Sequence, residues 1–387
     1  MAAQLTAISQ TAYTLITTQP MGPNVDCSAV GNILRNTGDD GIAVVSLVAS
    51  GTSSSRIVIA NNTVYNSAAR GISVVGGDSI TINSNTISLT DSAGIYVSQE
   101  SSFLTSGSSN IHVSGNTVVG ACTRGGSSTS HYGIQLNVDN TTKLLTGIRI
   151  SGNLVIKPRL GFISALASGT SMTDLTIVDN HLVGPPITTS GTFGILIGGG
   201  VAGCTCSGNR ITYAGTTGIM SYGVDVICED NTIYKPGQSG ALYSWGIENY
   251  GGTMRTRNNI VTPDAGKTAL NGSVYNGPTS VAAGANAGTS PPAPVFVANM
   301  SSTDDSGQIN FGSGSSPAIG AQVVVVFQTP YGVTPKVLMS PLNSVTAALQ
   351  CYISSVSTTG FTVSTLVAPA ASQSVTKYLL DYAVQLV

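Results

Sequence analysis

The sequence predicts an all-β protein: a right-handed parallel β-helix of about nine rungs, followed by a small antiparallel β-sandwich. Three observations lead to this prediction. The composition is poor in helix-forming residues, an asparagine-centred unit recurs nine times, and the strand spacing changes near residue 293. Together they favour a β-solenoid over an α/β enzyme, a membrane protein or a nucleic-acid-binding protein.

The composition favours short strands joined by tight turns. Gly accounts for 46 of 387 residues, and charged residues make up only 8%, so solvent-facing helices have few Glu and Lys residues from which to form. A net charge of −2 gives no basic surface for nucleic acid. The longest apolar run, at residues 323–327, is too short to cross a bilayer, so no membrane insertion is expected.

An eight-residue unit with asparagine at its sixth position is the main signal. Residues 57–64 and 80–87 are two examples, and the unit recurs every 22 to 37 residues, as expected for the rungs of a solenoid. Asparagine at a bend can adopt the left-handed backbone conformation, and stacked amides can bond along a ladder, so a structural role is predicted. The column consists of Asn32, Asn62, Asn85, Asn116, Asn153, Asn180, Asn209, Asn231 and Asn259.

A second marker, Gly followed by a branched apolar residue, begins another strand in most units. Gly41–Ile42 and Gly133–Ile134 are examples, and Gly161–Phe162 is a variant that places Ile163 on the outward face. The sequence therefore predicts two strands in each unit, joined by turns of varying length.

Four of the six cysteines fall into inward columns of the same alignment. Cys27 and Cys204 align with Ile57, whereas Cys206 and Cys228 align with Ile59. Core packing is therefore predicted for these thiols, reduced and inert, rather than disulfide or metal chemistry.

Four polar insertions interrupt the units between rungs one and five, at residues 48–55, 99–109, 120–131 and 138–146. Loops are the parts of a solenoid that need not stack, so these insertions are predicted to wall one side of a groove.

The chain divides into four segments. Residues 1–26 are predicted to be an N-terminal cap or the remnant of an upstream domain, and residues 27–265 the β-helix that carries the candidate site. Residues 266–292, rich in Gly, Ala, Asn and Pro, are predicted to be a linker. Residues 293–387 are predicted to form a small antiparallel sandwich, with strands at 322–329, 336–342, 349–356, 360–367 and 378–387.

Charged and aromatic residues gather at two places along the face of the Gly-Ile strands. The lower cluster, on rungs one to four, contains Asp39, Asp40, Arg70, Asp91, Tyr96, Glu100, His131, Tyr132 and Gln135. The upper cluster, on rungs seven and eight, contains Tyr222, Asp225, Tyr243, Trp245, Glu248 and Tyr250.

Asp39 and Asp40 are the first candidates for a catalytic pair. Glycosidases use two carboxyl groups, one protonated and one ionised, and neighbouring acids separate each other's pKa values. Successive strand residues point to opposite faces, so both carboxylates reach one groove only from a turn before Gly41. Otherwise Asp40 must pair with Glu100 or Asp91 across the rungs. The alternative is that Asp-Asp-Gly is simply a turn.

The other residues of the lower cluster are predicted to bind substrate: Arg70, Tyr96, His131, Tyr132 and Gln135. His131 with Arg70 would suit a lyase, the imidazole as base and the guanidinium as the cation that neutralises a uronic acid. The alternative for His131 is a solvated loop residue.

In the upper cluster, Tyr222, Trp245 and Tyr250 are predicted to stack on sugar rings, and Glu248 to accept hydrogen bonds from sugar hydroxyls. The alternative is a contact between subunits. No metal and no cofactor are expected, since neither an EF-hand spacing nor a GGxGxD repeat occurs.

These features resemble bacteriophage tailspikes, in which a pectate-lyase-like β-helix carries polysaccharide chemistry ahead of a small trimerising β-domain. The string TGDDGIAVVS at 37–46 resembles the paired-Asp motif of polygalacturonase-like glycoside hydrolases, although Ala69 and Arg70 replace their Gly-His pair one rung further on. The segment 322–387, with FQTP and TGF, resembles the H-type lectin-like sandwich of phage tail-protein tips.

The resemblance implies a homotrimeric phage tailspike that binds and hydrolyses a bacterial surface polysaccharide, either capsule or O-antigen. It also implies attachment to the phage tail or baseplate through a missing or truncated N-terminal region. The protein would then reside in the virion tail after assembly in the host cytoplasm. A polysaccharide lyase and a non-catalytic glycan-binding spike or adhesin are the alternative functions.

Overall fold

A computed structural model of the chain describes residues 23–124, 131–186, 193–238, 245–250, 252–257, 259–262, 280–296, 306–327 and 333–385. The chain divides into two compact units, Met1–Val274 and Tyr275–Val387. Residues 1–22, which make up most of the predicted cap, lie outside the described residues. No helix in the described ranges is long and apolar enough to span a membrane.

The first unit is a parallel β-helix, which confirms the predicted solenoid of nine rungs. Strands are numbered in chain order and form three sheets. Sheet A contains β1 (Ser28–Val30), β4 (Ser55–Ala60), β7 (Gly77–Asn83), β10 (Ser108–Ser114), β13 (Leu145–Ser151), β16 (Met172–Val178), β19 (Val201–Ser207), β22 (Val224–Glu229) and β25 (Met254–Arg257).

Sheets B and C complete each rung. Sheet B contains β2 (Ile33–Arg35), β5 (Thr63–Tyr65), β8 (Thr86–Ser88), β11 (Thr117–Val119), β14 (Leu154–Ile156), β17 (His181–Val183), β20 (Arg210–Thr212), β23 (Thr232–Tyr234) and β26 (Ile260–Thr262). Sheet C contains β3 (Ile42–Val45), β6 (Ile72–Val75), β9 (Ile95–Gln99), β12 (Ile134–Val138), β15 (Gly161–Ala167), β18 (Phe193–Ile197), β21 (Ile219–Ser221) and β24 (Ile247–Asn249).

Each rung thus has three strands, not the predicted two, because the asparagine-centred unit contains a corner. The residue before the column asparagine adopts the left-handed conformation, for example Gly31 at φ 71° and Asn61 at φ 55°. The prediction that the column asparagine itself takes this conformation is therefore wrong. The corner turns the chain from sheet A into sheet B.

The predicted ladder of stacked amides is confirmed. Nδ2 of Asn85 donates to Oδ1 of Asn116 at 2.9 Å, and the main-chain N–H of Asn85 donates to the same oxygen at 3.0 Å. The pattern repeats from Asn32 to Asn259. Because each buried amide is satisfied by the next rung, the column fixes the register of the solenoid.

The glycine marker reflects close stacking at the entry to sheet C. A Cβ on Gly41 would lie 2.5 Å from the carbonyl oxygen of Gly71, and one on Gly71 would lie 2.6 Å from that of Gly94. Only glycine fits such an approach of backbone to backbone.

The cysteine alignment is confirmed by the register of sheet A. Leu175 pairs with Cys204, and Cys206 pairs with Cys228. Cys204, Cys206 and Cys228 are buried in the apolar core, while Cys27 packs against it and is half-buried. Burial raises the pKa of the Cys204 thiol, which disfavours the reactive thiolate.

The insertions do not all wall the same side. Those at 48–55, 99–109 and 138–146 follow strands of sheet C, whereas 120–131 precedes one. Three insertions therefore lie where the strands of sheet C end, and the fourth lies where such a strand begins. Residues 125–130 of the fourth insertion are outside the described ranges. The prediction of a one-sided wall is wrong because these insertions occupy two different corners of the rung.

The second unit is the predicted antiparallel sandwich. One sheet contains β27 (Ser280–Ala283), β30 (Gly320–Val326), β33 (Gly360–Thr365) and β32 (Cys351–Ser357), and the other contains β28 (Val295–Phe296), β29 (Ser306–Phe311), β34 (Tyr378–Gln385) and β31 (Lys336–Pro341). Both sheets contribute to one core that includes Phe311, Phe361 and Tyr378.

A short helix, α1 (Ser344–Ala347), also belongs to this unit, and Oδ1 of Asn343 at its N-terminus accepts the N–H of Thr346. Strand β27 falls in the range 266–292 assigned to a linker. It is a strand because Val281 packs against the core while β27 pairs with β30.

Candidate functional site

The candidate site lies on the outer face of sheet C. The strands are in register, so one outward column runs along this face. It reads Ala43, Ser73, Tyr96, Gln135, Ser164, Leu196, Met220 and Glu248. The predicted outward position of Ile163 is wrong: Ile163 pairs with Ile134 in the core, and Ser164 takes its place, because Gly161–Phe162 shifts the strand by one residue.

Two carboxylates converge on Arg70 in the lower cluster. Arg70 Nη1 lies 3.6 Å from Asp40 Oδ2, and its Nη2 forms a close ion pair with Glu100 Oε1. Asp40, Arg70 and Glu100 come from rungs one, two and three, and we call them, with Tyr96, the Arg70 site. Their side chains are mostly buried, with 8%, 21% and 14% exposed for Asp40, Arg70 and Glu100.

Two hydrogen bonds and the guanidinium of Arg70 hold the Asp40 carboxyl group in place. Its Oδ1 accepts the main-chain N–H of Arg70 at 2.8 Å, and its Oδ2 accepts the hydroxyl of Ser73 at 2.6 Å. Burial raises the pKa of the Asp40 carboxyl above its ordinary value of 3.8, and the Arg70 charge and these hydrogen bonds oppose that rise only in part. The carboxyl therefore keeps its proton to a higher pH than a solvated aspartate does.

Aromatic rings complete the lower cluster. The Arg70 guanidinium lies over the Tyr96 ring, 4.6 Å from its centroid. The ring of His131 meets Tyr96 edge to face at 5.7 Å. Burial, and secondly the Arg70 charge, lower the pKa of His131 below 6.5, so the imidazole is neutral at pH 7. Its buried Nδ1 has no hydrogen-bond partner within the described ranges.

Of the other predicted residues of the lower cluster, two lie on turns and two are buried. Asp39 lies on the exposed side of the turn, where its carbonyl accepts the Thr37 hydroxyl. Asp91 lies on the corresponding turn of rung three, with its N–H bonded to the Ser67 carbonyl. Tyr132 and Gln135 are buried, and the Gln135 Oε1 accepts the Tyr132 N–H at 3.1 Å. Of the alternatives left open by the sequence, the structure brings Asp40 to Glu100.

The upper cluster is built differently. Glu248 is fully buried and accepts a hydrogen bond from Thr217 Oγ1 at 3.2 Å. Trp245 is half-buried. The rings of Tyr222 and Tyr250 pack at 5.2 Å and remain 37% and 55% exposed. Tyr243 lies outside the described residues.

The two clusters are too far apart to form one catalytic pair. Tyr96 and Glu248 occupy the same column five strands apart, which corresponds to about 24 Å at roughly 4.8 Å per strand. Because Asp40 and Glu100 contact the same guanidinium, their carboxylates lie at most about 8 Å apart, an upper limit compatible with the roughly 5–9.5 Å of glycosidase pairs.

Sequence reasoning missed two features. The first is the hydrogen bond from Ser73 to Asp40. It joins two neighbouring rungs, so it becomes visible only once the rungs are stacked. The loop at residues 100–105 carries Phe103 and Leu104 in a serine-rich insertion, a local change of composition that could have identified it. No group of three or more His, Cys, Asp or Glu side chains converges as metal ligands would in the part of the chain that the structure describes.

Comparison with known proteins supports the scaffold. The family described as "Right handed beta helix region" matches residues 24–182, in agreement with the right-handed β-helix of the first unit. A search of curated protein sequences finds no match.

Several solved structures are similar to this chain. The Dettilon tailspike protein has 12% identity and a TM-score of 0.46, with 94% of this chain and 80% of that chain covered. The Streptococcus pneumoniae surface protein and adhesin PfbA has 12% identity and a TM-score of 0.38, with 64% and 63% covered. Endo-xylogalacturonan hydrolase from Aspergillus tubingensis has 10% identity and a TM-score of 0.39, with 69% and 89% covered. None of these values is high enough to transfer an activity to this chain.

Proposed function

We propose that this protein binds a bacterial surface polysaccharide and hydrolyses it at the Arg70 site. The observation that carries the proposal is the convergence of Asp40 and Glu100 on Arg70, with the pKa of Asp40 raised by burial. Two neighbouring carboxyl groups in different environments are what acid–base hydrolysis of a glycosidic bond requires.

In the proposed reaction, Asp40 donates its proton to the leaving glycosidic oxygen. Glu100 acts as the ionised carboxylate, either on the attacking water or on the anomeric carbon, and one water molecule is added across the broken bond. Arg70 holds both carboxyl groups in position and places its charge over Tyr96. Tyr96 is itself buried, and its ring supports the guanidinium of Arg70 from beneath.

The upper cluster would hold the polymer away from the bond that breaks. Tyr222 and Tyr250 present partly exposed, contacting rings, and aromatic faces bind the apolar faces of sugar rings. A site about 24 Å away, or five strands, suits a substrate of several sugar residues better than a small molecule.

One observation favours a polysaccharide lyase as the second candidate. The neutral, unpartnered His131 Nδ1 near Arg70 could remove a proton next to a uronic acid carboxylate. The Arg70 charge, however, already faces two carboxylates, which leaves little of it to neutralise a third. Hydrolysis is therefore the better-supported reaction.

The test is a panel of purified capsular and O-antigen polysaccharides incubated with the protein. A hydrolase releases reducing ends from at least one member without a product that absorbs in the near ultraviolet. An unsaturated product that absorbs there would establish the lyase instead. Binding without any release of reducing ends would identify a non-catalytic spike or adhesin and overturn the enzymatic proposal.

We also propose the assembly that the tailspike resemblance implies: a homotrimer held by residues 293–387 in the virion tail. The edge strands β27, β28, β31 and β32 of the second unit support it, since exposed edges are commonly covered by association.

A further inference from the structure

We infer that the loop at residues 100–105 forms a subsite for a sugar residue that bears a methyl group, either a 6-deoxy carbon or an acetyl. The inference rests on the proposed function and deepens it by naming the substrate class. Phe103 and Leu104 carry it, because they are 66% and 70% exposed, more than any other large apolar side chain within the described ranges. Two adjacent apolar side chains in water contribute little to folding and are typical of a binding surface.

The loop is held rigidly in this exposed position. The N–H of Glu100 donates to Thr105 Oγ1 at 2.8 Å, which closes the loop on itself. The carbonyl of Leu104 accepts the N–H of Val48 at 2.9 Å, and Asp139 Oδ1 accepts the N–H of Ser101 at 2.8 Å. A surface fixed in advance loses little conformational entropy when a ligand binds.

Leu104 is also held in an unfavourable backbone conformation. Its φ of 54° and ψ of 39° lie in the left-handed region, which bulky residues rarely adopt and glycine adopts easily. A leucine in this conformation lowers the stability of the fold relative to glycine, and its exposed side chain gains little from burial in return. Other bulky residues such as Leu89 and Tyr213 adopt the same conformation, so it fixes the direction of the Leu104 side chain and does not by itself mark a binding site.

The loop connects this apolar surface directly to the Arg70 site. Phe103 ends a 3₁₀ turn, Ser101–Phe103, that begins after Glu100, and three residues of such a turn advance about 6 Å. The backbone of Phe103 therefore lies within about 6 Å of that of Glu100, so the apolar surface and the proposed catalytic carboxylate belong to one short loop.

The chemistry of the two side chains selects the ligand. The Phe103 ring can stack on the C–H face of a pyranose, whereas Leu104 can neither stack nor form side-chain hydrogen bonds. Leu104 would strip water from a hydroxyl without replacing its hydrogen bonds, which is unfavourable, but it contacts a methyl group favourably. The flanking residues are Ser101, Ser102 and Thr105, so no charged side chain on this turn favours a uronate.

The experiment compares matched ligands in two arms. One arm uses an O-acetylated capsular polysaccharide before and after mild alkaline removal of its acetyl esters. The other uses a fucose-containing oligosaccharide and its galactose counterpart. The wild-type protein is expected to bind the methyl-bearing form at least tenfold more tightly in one arm, which identifies the source of the methyl group.

Leu104→Ala should reduce this preference to within about twofold, whereas Phe103→Ala should weaken the binding of both forms because each has a pyranose face. Ile227→Ala, which removes a side chain that is 42% exposed on sheet A, should leave it unchanged. Leu104→Gly should raise the melting temperature by relieving the backbone while still losing the preference. A Leu104→Gly protein that keeps the preference would show that only the loop backbone matters.

The inference is overturned if the wild-type protein binds both ligands of each pair equally, if Leu104→Ala keeps its preference, or if Phe103→Ala binds both forms as tightly as the wild type. It is also overturned if those variants lower the sedimentation mass, which would make the loop a contact between copies of the chain. Cleavage of a glycan without a methyl preference would overturn the subsite alone. Failure to bind any glycan of the panel would remove the proposed function as well.

Discussion

The lower and upper clusters lie on the same outer face of sheet C and arise from the same repeat, yet they differ in chemistry. In the lower cluster, Asp40 and Glu100 share the Arg70 guanidinium, and one of these acids has a raised pKa. In the upper cluster, Glu248 is buried and bonded to Thr217, below two tyrosines that remain partly exposed. In the proposed function, the lower cluster transfers protons and the upper cluster contacts the polymer.

The difference between the clusters arises from an insertion and not from the repeat itself. Both clusters use the residue before the strand-entry glycine and the outward residue after it. Only the lower cluster adds a carboxylate from an insertion, since Glu100 follows strand β9 and closes a loop through Thr105. The insertion supplies a second acid that the regular part of the rung does not contain.

The largest effect is expected from removing the proposed proton donor. Asp40→Asn preserves the size and hydrogen-bonding capacity of the side chain but abolishes proton donation, so turnover should fall by about 10²–10⁴-fold. Glu248→Gln, the matched change in the upper cluster, should retain near-wild-type turnover. Reducing-end release at saturating polysaccharide measures both, with thermal melts to verify folding.

The opposite pattern of turnover in Asp40→Asn and Glu248→Gln would contradict the proposed location of the active site. A large loss of turnover in Glu248→Gln, together with normal turnover in Asp40→Asn, would move the active site to the upper cluster.

A smaller effect on turnover, but a distinct pH signature, is expected from Arg70→Gln. The Arg70 charge lowers the pKa of Asp40 against the effect of burial, so its loss should raise that pKa further and move the alkaline limb of kcat/KM to higher pH. Removing one partner from a buried ion pair typically costs about 3–5 kcal/mol of stability. A profile shifted towards lower pH would contradict the assignment of Asp40 as the acid.

The sign of the linked stability change follows from the same shift. Because the pKa of Asp40 is raised in the folded protein, its contribution to stability is fully present below its ordinary pKa of 3.8. The contribution is lost as the pH rises through the folded value. Arg70→Gln should therefore lose more stability between pH 4 and pH 8 than the wild-type protein does. Arg56→Gln, which breaks an exposed pair with Asp26, should melt close to the wild type at both pH values.

The smallest effect is expected from the upper cluster. Tyr222→Ala and Tyr250→Ala should each weaken glycan binding by about 2- to 12-fold, corresponding to roughly 0.5–1.5 kcal/mol for an aromatic contact, and turnover at saturation should not change. Tyr65→Ala removes a ring of matching exposure on sheet B, 38% against 37% for Tyr222, and should bind normally. An equal loss of glycan affinity in all three variants would argue against glycan binding by the upper cluster.

The sequence by itself determined the scaffold. Local periodicity was sufficient because every rung repeats the same contacts. The asparagine at the sixth position of each unit specified a ladder of amides from Asn32 to Asn259, and the inward columns specified a core that accommodates Cys206 beside Cys228. A repeated contact appears in the sequence as a repeated residue type.

Only the tertiary structure decided the site. The corner before each column asparagine, the one-residue shift at Gly161 and the meeting of Asp40 with Glu100 all depend on how neighbouring rungs stack. Asp40 and Glu100 are sixty residues apart, with Arg70 midway between them, and nothing in their local sequence marks them as partners. Their separation follows from the stacking of the rungs. The raised pKa of Asp40 follows from burial, opposed in part by the Arg70 charge, and both exist only once the rungs are packed.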